Sequence, residues 1–142
     1  MRIVVDTNTV ISGIARAAGN PYQILELWRQ GTIELLSSTA TVTELERVLT
    51  YPRVRKLHQL SDEQIKRFVT LYRTQTTHIV VNFALQAVES DPDDNMIIEL
   101  AVAGNARYIV TGDKKHLLPI GRYRGVEIVS PATFLLVYQG VT

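Results

Sequence analysis

A chain of 142 residues, 46% hydrophobic and 20% charged, is long enough for one domain with a sizeable core and has the composition of an ordinary folded protein. A net charge of +1 gives no overall pull toward nucleic acid or membrane, so any basic surface is local. The absence of cysteine excludes disulfides, thiolate zinc sites and thiol catalysis and suits a cytoplasmic setting. No apolar run approaches the ~20 residues that span a bilayer, and no signal-peptide pattern precedes the first strand-like segment.

That segment, "RIVVD" (2–6), is apolar until its final acid, as expected of a strand buried on both faces. A helical stretch begins near Thr9, and another opens at Asn20-Pro21 and stops at Gly31. "TIELLSS" reads as the second strand. "TATVTELERVLTY" places Val42, Leu45, Val48 and Leu49 at helical spacing and is closed by Pro52. "SDEQIKRFVTLYRTQT" starts with a capping box, Ser61 with Gln64, and aligns Ile65, Phe68, Val69 and Tyr72 on one face. "THIVV" is the third strand, "PDDNMIIELAVA" the next helix, "RYIVTGD" and "GVEIVS" the fourth and fifth strands, and Ser130-Pro131 begins a last helix. Strands that alternate with helices imply crossovers and a parallel sheet, and no hairpin signal such as Asn-Gly argues otherwise.

In such sheets ligands bind beyond the carboxyl ends of the strands, where the strand order reverses. Asp6 ends the first strand and Asp113, in "TGD", follows the fourth. Glu44 lies early in the helix after the second strand, and "VESDPDDN" packs Glu89, Asp91, Asp93 and Asp94 ahead of the helix that leads into the fourth. Each acid has a simpler role open to it. Asp91 before Pro92 is a good N-cap, Asp93 and Asp94 suit a first helical turn, and the others could be loop or solvated helix residues. Together they form a rim of hard oxygen ligands whose mutual repulsion a divalent cation relieves, with Mg²⁺ or Mn²⁺ the natural choice. Metal-assisted phosphodiester hydrolysis is the chemistry that follows.

"IVVDTNTVISG", "TELERVL", "DPDDNMIIELA" and "YIVTGDKKHLL" occur in an order that resembles the PIN-domain nucleases, particularly the small prokaryotic VapC-like toxins of toxin–antitoxin pairs. The resemblance implies a single PIN-like domain over residues 1–142. Its α/β fold would be a three-layer sandwich whose central parallel five-stranded sheet, in order 3-2-1-4-5, is covered by helices on both faces. It implies Mg²⁺- or Mn²⁺-dependent ribonuclease activity and, commonly, homodimers inhibited by a small antitoxin protein. Asp6, Glu44, Asp94 and Asp113 match the family acids that would be catalytic and metal-binding. Asn8 and Thr111 match supporting polar positions. Glu46 competes with Glu44, since both flank the apolar stripe, and Asp93 competes with Asp94 and otherwise supports it.

Beyond the acids, "YPRVRKLH" concentrates Arg53, Arg55, Lys56 and His58, while Lys114 and Lys115 adjoin Asp113; both groups are candidates for RNA phosphates, with solvation the simpler role. Tyr51 and Tyr123 could stack on bases or merely pack. His116, three residues past Asp113, reads first as a helix-start residue, with substrate contact the alternative. There is no HExxH, GxSxG or GxxxxGKS/T motif. An aspartyl phosphotransferase wants a second acid where this chain has Asn8. A receiver domain wants an aspartate ending the third strand and a lysine after the fifth, where Asn82 and Ser130 stand. The expected function is a metal-dependent endoribonuclease that hydrolyses RNA to 5′-phosphate and 3′-hydroxyl ends. A catalytically weak PIN-like module that binds RNA or protein is the alternative.

Overall fold

The computed structural model describes residues 1–85 and 92–140; Glu89 and the expected N-cap Asp91 lie outside the described residues. Strand β1 (Arg2–Val5) leads to helices α1 (Thr7–Ala15) and α2 (Asn20–Arg29), then strand β2 (Glu34–Ser37). Helices α3 (Thr39–Leu49), α4 (Pro52–His58) and α5 (Asp62–Gln75) precede a two-residue strand β3 (Thr77–His78). After α6 (Pro92–Ala103) come β4 (Tyr108–Val110), a 3₁₀ turn (Leu118–Ile120), β5 (Arg122–Tyr123), β6 (Val126–Val129) and α7 (Pro131–Tyr138). No helix among the described residues is long and apolar enough to cross a membrane.

The sheet order is β3-β2-β1-β4-β6-β5, with every pairing parallel except β5 with β6. The expected order 3-2-1-4-5 is therefore present, with β6 as its last member, and the correction is a sixth strand. In "RYRGVEIV" the pair Tyr123↔Val126 encloses a two-residue turn whose central residues, Arg124 and Gly125, have φ of 49° and 84°. Positive φ at both positions is what a tight hairpin requires, and Asn-Gly is its common signature. Arginine in the first place concealed it.

Other elements differ from expectation as well: α1 begins at Thr7 rather than near Thr9, and α4 is an additional helix. Pro52 closes α3 but also serves as the first residue of α4, where its missing N–H costs nothing. The third strand pairs only over Thr77–His78, with one further bond from Ile79 N–H to the Ser37 carbonyl (2.8 Å), instead of running through "THIVV".

Alternation along the strands divides the core. Ile3 and Val5 of β1, Leu35 of β2, and Tyr108 and Val110 of β4 face a large layer built from α1, α2, α3, α5 and α7, including Leu25, Trp28, Leu45, Phe68 and Phe134. Val4, Leu36 and Ile109 face α6 through Ile97, Ile98, Leu100 and Ala101. Helices cover both faces, unequally. Because β1 is flanked by β2 and β4, the chain reverses its direction of winding between β1 and β4. That opens a crevice at their carboxyl ends.

Candidate metal centre

Asp6 follows β1 directly and caps α1: its Oδ1 accepts the Thr9 N–H at 2.9 Å. Its Oδ2 accepts the Thr111 hydroxyl at 2.5 Å, just beyond β4. The same Thr111 oxygen accepts the Asp113 N–H at 3.0 Å, so one fully buried hydroxyl ties the acids of two neighbouring strands together. Burial pushes the Asp6 carboxyl above its ordinary 3.8; the Thr111 and Thr9 hydrogen bonds pull it back in part, and the Asp113 charge adds to the rise.

Glu44 comes from α3, whose start is set by a reciprocal capping box between Ser38 and Thr41. Its side chain is buried and accepts the Thr7 hydroxyl. Burial again dominates and raises its pKa; the Thr7 hydrogen bond opposes this and the Asp93 carboxylate reinforces it. Residues two apart on a helix are separated by about 200°, and Glu46 accordingly points elsewhere. It is exposed and pairs with Arg73 at 3.5 Å.

Asp93 and Asp94 occupy the first turn of α6, where the positive end of the helix favours anions. Both line a cleft of about 160 Å³ together with Asp6, Thr7, Asn8 and Glu44. Asp113 stands on the other side of Asp6, in an adjoining cleft that also contains Asn8 and Gly112. Burial works against the ionised form of Asp113, but N–H groups of His116 and Lys115 on its Oδ1, at 3.1 and 3.0 Å, and the His116 imidazole outweigh it and lower its pKa. The imidazole Nδ1 lies 3.5 Å from Asp113 Oδ2 and 3.7 Å from Asp94 Oδ2. Ligand atoms of Asp94, Asp113 and His116 all fall within 4.8 Å of one another.

Thus Asp6, Glu44, Asp93, Asp94 and Asp113, with Asn8 and Thr111, gather on one rim. Two further residues belong to this rim. Thr7 carries no signal of its own in the sequence; its role appears only in its hydrogen bond to Glu44. His116 had a local signal, the aspartate three residues earlier, because an Asp-initiated turn brings those residues side by side. The basic candidates do not all form one patch. Arg53 and Lys56 are exposed on α4, whereas Arg55 is committed to Asp62 (2.8 Å) and to the Thr50 carbonyl (3.1 Å). His58 is buried: its Nδ1 accepts the Leu60 N–H and its Nε2 bonds the Leu49 carbonyl, both at 2.9 Å, so it anchors the end of α4 and offers nothing to RNA. Lys114 and Lys115 are exposed beside Asp113. Tyr51 is exposed, while Tyr123 packs in β5 under Arg124.

The PIN domain family model matches residues 2–115. The chain belongs to the PIN-domain family. PIN domains are generally nucleases. A curated relative, the uncharacterized protein MJ1680 of Methanocaldococcus jannaschii, is 29% identical over 114 residues, which cover 80% of this chain and 72% of that protein. Among solved structures, VapBC2 from Rickettsia felis, bound to a DNA fragment from its promoter, is similar with a TM-score of 0.60. That match covers 92% of this PIN domain and 98% of the other chain, at 16% identity. The likeness is one of fold.

Proposed function

We propose that this PIN domain is a metal-dependent endoribonuclease, hydrolysing RNA phosphodiester bonds in the cytoplasm as the toxin of a toxin–antitoxin pair. The observation that carries the reading is the meeting of acids from β1, α3, α6 and the β4 edge at the crevice between β1 and β4. Two of them, Asp6 and Glu44, are buried with raised pKa values. A structural role would not need buried carboxylates to line one cleft; a cation would.

The acids lining the two clefts offer carboxylate oxygens that fit Mg²⁺ or Mn²⁺, and ligand atoms of Asp94, Asp113 and His116 are grouped at their edge. Asp6, Glu44, Asp94 and Asp113 would hold the ion. When bound, it supplies positive charge that stabilises the negative charge developing on the phosphate oxygens. The chain's own groups do the rest. Thr111 fixes the rotamer of Asp6, Thr7 that of Glu44, and Asp93 adds charge beside Glu44. Asn8 is exposed at the mouth of both clefts and would orient the RNA strand through its amide. Arg53, Lys56 and Lys114 would hold phosphates, with Arg55 available only after leaving Asp62. The VapBC2 likeness supports a small antitoxin protein as partner, and homodimerisation is the assembly that the family resemblance implies.

A mixed RNA panel incubated with Mn²⁺, Mg²⁺ or excess chelator tests this. Cleavage should need the metal and should fall at least ~100-fold in Asp6→Asn or Asp113→Asn, since charge stabilisation is worth several kcal/mol. Asparagine keeps the helix cap at position 6, so the loss would report the charge. Undiminished cleavage in chelator would overturn the metal mechanism. Metal binding without any cleavage would leave an RNA- or protein-binding module.

A further inference from the structure

The acids that define the rim do not account for His116. Its ring is 43% exposed, yet it is turned back onto Asp113 and Asp94. We propose that His116 supplies a nitrogen ligand, alongside the Asp94 and Asp113 carboxylates, to a divalent transition-metal ion at the outer edge of the centre. This rests on the metal-dependent reading above and extends it to a specific donor and to the choice of ion.

The geometry suits coordination. An octahedral ion with ligands at about 2.1 Å has neighbouring donors about 3 Å apart and opposite donors about 4.2 Å apart. The two nitrogen–oxygen separations are 3.5 and 3.7 Å, and the whole triad lies within 4.8 Å, so small side-chain rotations, chiefly of the exposed imidazole, bring all three onto one ion. Sequence geometry holds the imidazole there. Asp113 Oδ1 accepts the His116 backbone N–H, closing a turn that places the ring over the carboxylate's other oxygen. That leaves Asp113 Oδ2 directed at both the ring and the α6 acids.

The donor type has a consequence for selectivity. Imidazole nitrogen is a good ligand for first-row transition ions, whereas Mg²⁺ demands oxygen donors and dehydrates reluctantly. His116 would therefore favour Mn²⁺ over Mg²⁺, a preference that four carboxylates alone would not create.

The test is Mn²⁺ electron paramagnetic resonance on the full chain, wild type and His116→Gln. Thermal melting would establish that both are folded, as expected for an exposed side chain whose backbone contact survives. The nitrogen modulation of a directly bound imidazole should be present in wild type and absent in His116→Gln. Mn²⁺ affinity should fall about tenfold in the variant, while Mg²⁺ affinity, read by competition, should change less than ~3-fold. Bound Mn²⁺ without nitrogen modulation in wild type, or modulation that survives in His116→Gln, would overturn the assignment. RNA cleavage measured in parallel separates the two readings. Metal-dependent cleavage without nitrogen coupling defeats only the role of His116, and coupling without cleavage defeats only the nuclease.

Discussion

The Thr111 hydroxyl donates to Asp6 and accepts from the Asp113 backbone across a separation of 105 residues for the first contact and two for the second. Threonine is the residue for this place because it is both donor and acceptor on a β-branched frame that fits a strand end. Valine has nearly the same shape and neither function. Thr111→Val should therefore lower stability by about 1–3 kcal/mol in urea unfolding, the cost of leaving buried polar groups without a partner. It should also lift the Asp6 pKa further, since the hydroxyl is one of the groups holding it down. Thr111→Ser restores the hydroxyl and should recover most of the loss, less a buried methyl. A Thr111→Val protein as stable as wild type would mean that the bridge between the two acids contributes nothing.

At the scale of elements, α4 is the piece whose role changes most once its surroundings are known. Four basic residues in a row of eight suggest a single phosphate-binding patch, but the helix distributes them: Arg55 toward Asp62, His58 into the core, Arg53 and Lys56 outward. Residues three apart share a helical face, so Arg53 and Lys56 can act together. On the nuclease reading, the double variant Arg53→Ala with Lys56→Ala should flatten the salt dependence of RNA binding by a log–log slope of about 1.4, two single-strand phosphate contacts. Melting temperature should barely move. An unchanged slope would route the RNA elsewhere. The same helix shows where legibility ends. Strands β1 and β4 announce themselves by unbroken apolar runs, and α5 by its Ser61–Gln64 box, which forms as expected. A proline that ends one helix and starts the next is ambiguous without tertiary context, as is an Arg-Gly turn in place of Asn-Gly. Glu44 and Glu46 both border the apolar stripe of α3, and only the position of α5, carrying Arg73, separates the buried one from the solvated one.

For the whole molecule, the crevice concentrates negative charge in a place that folding creates, so stability, pH and metal are linked. Asp6 and Glu44 have folded pKa values raised above their ordinary 3.8 and 4.5. Between those ordinary values and the raised ones the folded chain holds more protons than the unfolded chain, and stability falls as pH rises. Asp113 is shifted the other way; its contribution is present above 3.8 and is lost only as pH falls through its lowered value, below the window of the other two. Metal-free protein should thus become less stable from about pH 3.8 upward through the raised pKa values, with Asp113 not compensating. A divalent cation binds only the assembled rim and should reverse the loss, by about 2.7 kcal/mol at a concentration 100-fold above its dissociation constant. Thermal unfolding near pH 4 and pH 8, with chelator and with Mn²⁺, checks both halves. Asp6→Asn serves as the control: the buried charge is gone and the cap remains, but the amide cannot also accept the Thr111 hydroxyl. Without metal its stability should therefore fall less than that of wild type as pH rises, whatever its absolute value. It should also lose most of the gain from Mn²⁺. If chelated wild type were instead more stable at pH 8 than at pH 4, with no gain from Mn²⁺, the rim acids would be neutralised within the protein itself and would have no need of a cation.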